Sequence, residues 1–132
     1  MIALNNLAFM KAEEGTDIDG ALTMAQKAKQ AQPQIDTISD TLGWIYIKKN
    51  LSEDAIRIFS ELCRKEPNNP MFRYHLAQAL SQKGDKLRAR KELEEMLIRI
   101  KTRLPECEKA LPENGAVAKY EKKIREFMTT LA

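Results

Sequence analysis

Residues 36–69 read DTISDTLGWIYIKKNLSEDAIRIFSELCRKEPNN, and they contain the pattern that decides the fold. A shift of the sequence by 34 positions places this segment over residues 70–103, so that a large residue, Leu42, falls on another large one, and a small residue, Ala55, falls on another small one. A fixed period of this length indicates stacked helical units, each of which buries its apolar face against the next. The chain is therefore predicted to be all-α.

Residues 1–35 carry a further copy of the same unit. Ala21 and Pro33 have their counterparts 34 positions later in the sequence. Leu7 has its counterpart 35 positions later, which places one additional residue in the turn around residues 15–17, where a loop tolerates an insertion. Three consecutive units are predicted.

Helix start and stop signals divide each unit into two helices. Gly and Asn suit the left-handed position after a helix, Asp and Ser suit the cap before one, and Pro ends a helix that reaches it. The first unit is predicted to form helices over about 2–14 and 18–31, and the second over about 36–49 and 52–65. The boundary residues are Gly15 and Asp17 in the first unit, Asp36, Asn50, Ser52 and Pro67 in the second, and Gly84 and Asp85 in the third.

The last part of the chain departs from the repeat. Residues 104–115 contain two prolines and a glycine, so a loop is predicted there, with at most one helical turn over 106–111. A final helix over 116–131 follows, which is predicted to cover the third unit as a C-terminal cap. Its apolar residues at helical spacing are Val117, Tyr120, Ile124, Phe127, Met128 and Leu131.

The units resemble the tetratricopeptide repeat (TPR) family. The family's unit has a large, a small and a bulky residue on its first helix, and an alanine, a bulky residue and a proline on and after its second. The middle unit matches with Leu42, Gly43, Tyr46, Ala55, Phe59 and Pro67. The third unit has Lys101 in place of the proline, which predicts a longer second helix, and the first unit has Lys11 at the bulky position. Small residues are expected where the helices cross closely, at Ala8, Ala21, Gly43, Ala55, Ala77 and Ala89.

The resemblance implies a right-handed α-solenoid of three antiparallel helix hairpins, over about 1–35, 36–69 and 70–104, with the loop and capping helix over 105–132. The segments 5–8 and 41–44 also resemble the terminal repeats of long bacterial arrays. Some of those arrays belong to envelope and exopolysaccharide export systems, including lipoproteins of the PEP-CTERM sorting type. This implies the C-terminal repeats of a longer bacterial protein, which is cytoplasmic or, if exported, periplasmic.

The function that the resemblance implies is binding of a partner protein or peptide in a concave groove lined by the first helix of each unit. The expected groove residues are Asn5, Asn6, Phe9, Ala12 and Glu13, then Asp40, Thr41, Trp44, Ile47 and Lys48, then Met71, Tyr74, His75, Gln78 and Gln82. Trp44 and Tyr74 are the predicted anchors, because large amphipathic side chains dominate binding energy at interfaces. The alternative is that Trp44 packs on a neighbouring repeat and Tyr74 on the final helix, and His75 is interpreted as a surface or packing residue.

One ligand class is disfavoured. TPR proteins that clamp the terminal carboxylate of a peptide resemble one another in having Lys, Asn, Asn, Lys and Arg at five groove positions. Those positions hold Asn5, Phe9, Thr41, Met71 and His75 in this chain. A ligand recognised through its side chains is expected instead.

Other functional classes lack their residues. No phosphate-binding glycine loop or catalytic motif is present, and a single histidine leaves Cys or Ser without a catalytic partner, so no enzyme activity, cofactor or metal is predicted. A net charge of +3 is too small to indicate nucleic-acid binding. No apolar run is long enough to span a membrane. Cys63 and Cys107 are predicted to be unpaired, half-buried thiols.

The alternative function is a structural one, in which this segment caps a longer TPR array and repeats before it bind the partner. That hypothesis predicts an exposed apolar face on the first helix at Ile2, Leu7 and Met10. Self-association through this face is then expected.

Overall fold

The computed structural model describes the backbone of residues 2–131 and the side chains of residues 5–131. This part of the chain contains eight α-helices and no strand, so the predicted all-α fold is confirmed. The helices are α1 (Ile2–Glu14), α2 (Ile18–Ala31), α3 (Asp36–Lys48), α4 (Ser52–Lys65), α5 (Pro70–Lys83), α6 (Lys86–Thr102), α7 (Leu104–Ala110) and α8 (Ala116–Thr130).

Most of the predicted helix boundaries are confirmed, because they depend on local chemistry. The Asp17 carboxylate accepts a hydrogen bond of 3.0 Å from the Gly20 backbone N–H, and Asp85 caps α6 in the same way at 3.2 Å. Asn50 and Gly84 take the left-handed conformation after α3 and α5, with φ of 62° and 102°. These side chains and conformations satisfy backbone groups that a helix end leaves open.

Two predicted caps are wrong by one residue. Asp36 is the first residue of α3, and Ile35 takes the cap position without a side-chain hydrogen bond. Ser52 is likewise the first residue of α4, where the Leu51 carbonyl accepts the N–H of Ala55 at 3.2 Å. In both cases backbone hydrogen bonds begin the helix, and an acidic side chain in the first turn of α3 still complements the helix dipole.

The loop predicted before the final helix is also partly wrong. α7 is a helix of seven residues that begins at Leu104, directly after Arg103 ends α6. Pro105 lies in the first turn of α7, where its missing N–H has no intrahelical partner to lose. The predicted lengthening of α6 is confirmed, since this helix has 17 residues.

The chain divides into two compact units, Met1–Ile58 and Phe59–Ala132, and the division falls within α4. In unit 1, α1 packs against α2 and α3, and α2 packs against α3. The core cluster of unit 1 consists of Ala8, Ala12, Ala21, Ala25, Leu42 and Ile45. Its four alanines lie on α1 and α2, where small side chains let the helix backbones approach closely.

In unit 2, α5 packs against α6 and α8, and α6 packs against α7 and α8. The fully buried side chains of this unit include Phe59, Leu80, Leu93, Met96 and Ile124. α8 contacts both α5 and α6, so the predicted final helix does pack against these two helices.

Candidate functional site

α1 and α3 of unit 1, which contact each other, carry the first two sets of predicted groove residues. Asn6 and Phe9 of α1 are exposed, and Trp44 of α3 is half-buried against the core cluster that contains Ala12. The Lys48 Nζ lies 4.8 Å from the centroid of the Trp44 ring, which is a cation–π contact. Phe9 lies on the turn of α1 next to Ala12. Trp44 therefore combines packing with a surface position.

Four of the predicted groove residues lie in the interior of unit 1. Asn5, Ala12, Asp40 and Thr41 are buried. The Thr41 hydroxyl donates a hydrogen bond of 3.1 Å to the carbonyl of Thr37, one turn earlier in the same helix. Of the other predicted groove residues in unit 1, Trp44 and Ile47 are half-buried, and the exposed ones are Asn6, Phe9, Glu13 and Lys48.

The corresponding residues of unit 2 belong to an aromatic cluster with α8. The Tyr74 ring lies 5.8 Å from that of Tyr120 and 5.9 Å from that of Phe127, both in edge-to-face geometry. The His75 ring lies 5.2 Å from that of Phe59. Tyr74 thus packs on the final helix, which was the alternative to the prediction that it anchors a partner. His75 packs on Phe59.

A lysine of α8 extends this cluster at its edge. The Lys123 Nζ lies 5.2 Å from the centroid of the Tyr120 ring and 5.9 Å from that of Tyr74. Burial, and to a lesser degree the carboxylate of Glu126, raises the pKa of the Tyr74 phenol, because both disfavour the phenolate. The hydroxyl stays protonated at neutral pH. Of the other groove residues on α5, Met71 and Gln78 are half-buried.

Reactive groups are few in the described part of the chain. Within the described residues Cys63 and Cys107 form no disulfide, as predicted, and both side chains are more buried than expected. Burial raises the pKa of the Cys107 thiol, which makes the thiolate scarce. Residues 5–131 contain no group of three or more His, Cys, Asp or Glu arranged to hold a metal ion. None of the described helices combines the length and apolar character that crossing a bilayer requires.

Comparison with protein-family models gave no match, and comparison with curated proteins gave no significant match. The family resemblance therefore rests on the residues quoted above and on the helix packing within each unit.

A second exposed surface was not predicted from the sequence. Leu97, Ile98 and Leu104 line a cleft beside α8, and Ile98 is 61% exposed. The sequence does contain a signal for this surface. Leu97 and Ile98 are adjacent near the end of α6, so the apolar surface of this helix is wider there than the single stripe that a helix buries against one neighbour.

Proposed function

We propose that the chain is a TPR array, a right-handed α-solenoid of three hairpins with α8 as its C-terminal cap, and that it binds a partner protein or peptide. Support comes from the six small residues of the repeat pattern, all of which are buried at the positions where hairpin helices need to approach closely. They are Ala8, Ala21, Gly43, Ala55, Ala77 and Ala89. The pairing of α1 with α2 and α3, and of α5 with α6 and α8, supports this proposal because consecutive hairpins would pack in these pairs.

The observation that carries the binding function is the surface of α1 and α3 in unit 1. An exposed aromatic ring at Phe9 and a half-buried indole at Trp44 provide apolar area, while Asn6 and Lys48 provide hydrogen-bond donors at its edge. A rigid aromatic anchor surrounded by polar groups is typical of interface hot spots. The partner therefore contacts unit 1 through side chains.

The ligand is not proposed to be a free carboxylate terminus. Two of the five positions that correspond to the clamp, Asn5 and Thr41, are buried, and His75 packs on Phe59. None of the five carries a permanent positive charge that would bind an anion. An extended or helical segment with apolar side chains suits this face better.

Photo-crosslinking at single positions tests the proposal. p-Benzoylphenylalanine is placed at position 9, and at position 87 as the matched control, because Phe9 and Leu87 are both exposed on helix surfaces. After irradiation in a lysate of the source organism, we expect one defined protein to be crosslinked from position 9 and not from position 87. Crosslinking from both positions alike, or none from position 9, would reject binding at this face.

The alternative function, a cap for a longer array, is favoured by one observation. Leu7 and Met10 of α1 are exposed, while the Ile2 side chain lies outside the described residues. Exposed apolar residues on one helix turn are the surface that a preceding hairpin would cover. Crosslinks from position 10 to a helix of the same protein, without a foreign protein at position 9, would favour this function.

A further inference from the structure

Unit 2 carries an apolar groove along the side of α8 that the proposed partner-binding face does not include. It consists of two adjacent clefts of about 440 and 450 Å³, both of which are lined by Leu104 and Glu121. We call it the α8 groove. Its apolar lining is formed by Leu97, Ile98, Leu104, Leu111, Val117 and Ala118.

The two ends of the α8 groove have opposite charge. Lys101 and Arg125 line one cleft, and Glu108 and Glu113 line the other. Arg125 is bound to Glu121 at 2.9 Å, whereas Lys101 forms no ion pair with another residue in the described part of the chain. α8 begins at Ala116, beside the acidic cleft, and Arg125 is nine positions later in the same helix. This spacing corresponds to about 13 Å along the helix axis. The groove thus has a direction.

The packing of α8 indicates which kind of element fits the α8 groove. α8 contacts both α5 and α6, and α3 likewise contacts both α1 and α2, so in the proposed array α8 takes the place of the first helix of a further hairpin. The second helix of such a hairpin would run antiparallel to α8 and cover its open side. The groove lies between α8 and the helices α6 and α7, where a second helix would pack.

We propose that the α8 groove binds an amphipathic α-helix of a partner protein, antiparallel to α8, with acidic residues in its first turn and basic residues in its last. The antiparallel direction places the start of the partner helix beside Lys101 and its end beside Glu108 and Glu113. Acidic first turns and basic last turns also complement the helix dipole. Apolar residues at helical spacing enter the two clefts, with Leu104 as the contact that both clefts share and Ile98 as a contact in the cleft that Lys101 lines.

A suitable probe has the sequence of α4 from this chain, because α4 combines these features. It has Glu53 and Asp54 in its first turn and Arg64 and Lys65 in its last turn. The probe is the synthetic peptide of residues 52–65 with Cys63→Ser, fluorescently labelled. A hydrocarbon staple replaces two residues on its polar side, Arg57 and Glu61, because a free peptide of 14 residues is barely helical in water.

The binding experiment titrates the full chain into the labelled peptide and follows fluorescence anisotropy. We expect saturable binding that Ile98→Asp weakens by about tenfold or more. Leu87→Asp is the matched control, since Leu87 lies on the same helix, is 68% exposed and lines neither cleft. This variant should change the affinity by less than about twofold. Absence of saturable binding, or equal losses in the two variants, would overturn the proposal.

Charge reversal tests the direction of the bound helix. In a second peptide the end charges are exchanged, with lysines in the first turn and glutamates in the last. The parent chain should bind this peptide less tightly than the first, and Lys101→Glu should narrow or invert the difference. Equal binding of both peptides by the parent chain would contradict the antiparallel arrangement.

Two further measurements separate this proposal from other occupants and from the proposed function. Phe9→Asp should leave peptide binding unchanged, because Phe9 belongs to unit 1, so the α8 groove and the α1–α3 face succeed or fail independently. Sedimentation velocity of the chain without peptide should show a monomer. A dimer that Ile98→Asp dissociates would mean that a second copy occupies the groove, which would overturn the assignment to a partner helix. Circular dichroism of each variant verifies that it is folded.

Discussion

At the scale of single residues, the buried guanidinium of Arg73 connects α5 to α6 and to the turn before α5. Its side chain is 6% exposed, and its Nη1 lies 3.4 Å from a carboxylate oxygen of Glu92 and 3.3 Å from one of Glu95. Its Nη2 donates a hydrogen bond of 2.8 Å to the carbonyl of Pro67. Arg73→Ala removes these contacts and leaves a cavity, and we expect it to lower the free energy of unfolding by about 2–4 kcal/mol.

Urea denaturation followed by circular dichroism measures this loss. Arg57→Ala is the matched control, because the Arg57 side chain pairs with Asp54 but is 74% exposed. Solvent screening weakens the attraction within such an exposed ion pair, so the control should change the free energy of unfolding by about 0.5 kcal/mol or less. Equal effects of the two substitutions would mean that the Arg73 contacts contribute little to stability.

Cys107 provides a second prediction at this scale. The residue is fully buried, and burial raises the pKa of its thiol, so the folded chain holds the thiol proton more tightly than the unfolded chain. The stability that this contributes is present below the thiol's ordinary pKa and is lost as the pH rises through the raised value. In a Cys63→Ser background, the free energy of unfolding should therefore fall more steeply above pH 9 than in the same chain with Cys107→Ala. Parallel pH profiles for the two chains would contradict this.

The same thiol should be protected from alkylation. With Cys63→Ser, iodoacetamide should modify Cys107 slowly in buffer and rapidly in urea, because the reagent requires an exposed thiolate. Mass spectrometry of the modified chain gives both rates.

At the scale of helices, the start of α2 contains two competing features. The Asp17 side chain accepts a hydrogen bond from the Gly20 N–H, yet a Cβ at position 20 would lie only 2.2 Å from the other carboxylate oxygen of Asp17. Gly20→Ala should gain about 1 kcal/mol from helix propensity and lose a similar amount because the cap is displaced. The substitution is expected to be nearly neutral in the parent chain.

A double-mutant cycle separates the two terms. In an Asp17→Ala background there is no carboxylate to displace, so Gly20→Ala should stabilise the chain by about 1 kcal/mol. Thermal and urea unfolding of the four chains provide the measurement. Equal effects of Gly20→Ala in both backgrounds would show that Asp17 adapts to the methyl group at no cost.

The helices themselves were largely predictable because their boundaries depend on near neighbours in sequence. Gly84 and Asp85 stop one helix and start the next through a left-handed backbone and a side-chain cap, both of which the sequence specifies locally. α7 begins earlier than the single turn predicted over 106–111 and is longer than it, because a proline such as Pro105 is compatible with the first turn of a helix. The caps predicted at residues 36 and 52 are displaced by one residue, because the carbonyls of Ile35 and Leu51 already accept the first backbone hydrogen bonds of α3 and α4.

At the scale of the whole molecule, the candidate site was less predictable than the helices. The repeat pattern predicts that Trp44 and Tyr74 lie on equivalent helices, but it does not predict which of these two side chains is covered by another helix. Tyr74 packs on Tyr120, which is 46 positions away in sequence, and that contact depends on how α8 packs against α5. The α8 groove was missed for the same reason, because it is formed by three helices that only tertiary packing brings together.

The division into two units leads to a prediction about unfolding. Each unit has its own buried residues, with Ile45 in the core of unit 1 and Leu93 in that of unit 2. Truncation of either to alanine should cost about 2–5 kcal/mol. In the proposed repeat array stability would be approximately a sum over units and their interfaces, so each substitution is expected to destabilise its own unit first. Hydrogen exchange measured by mass spectrometry should therefore show faster exchange in α1–α3 for Ile45→Ala, and in α5, α6 and α8 for Leu93→Ala. The conservative variant Ile45→Val should produce the same pattern at smaller amplitude, whereas equal acceleration in all helices by either alanine variant would mean that the chain opens in a single cooperative step.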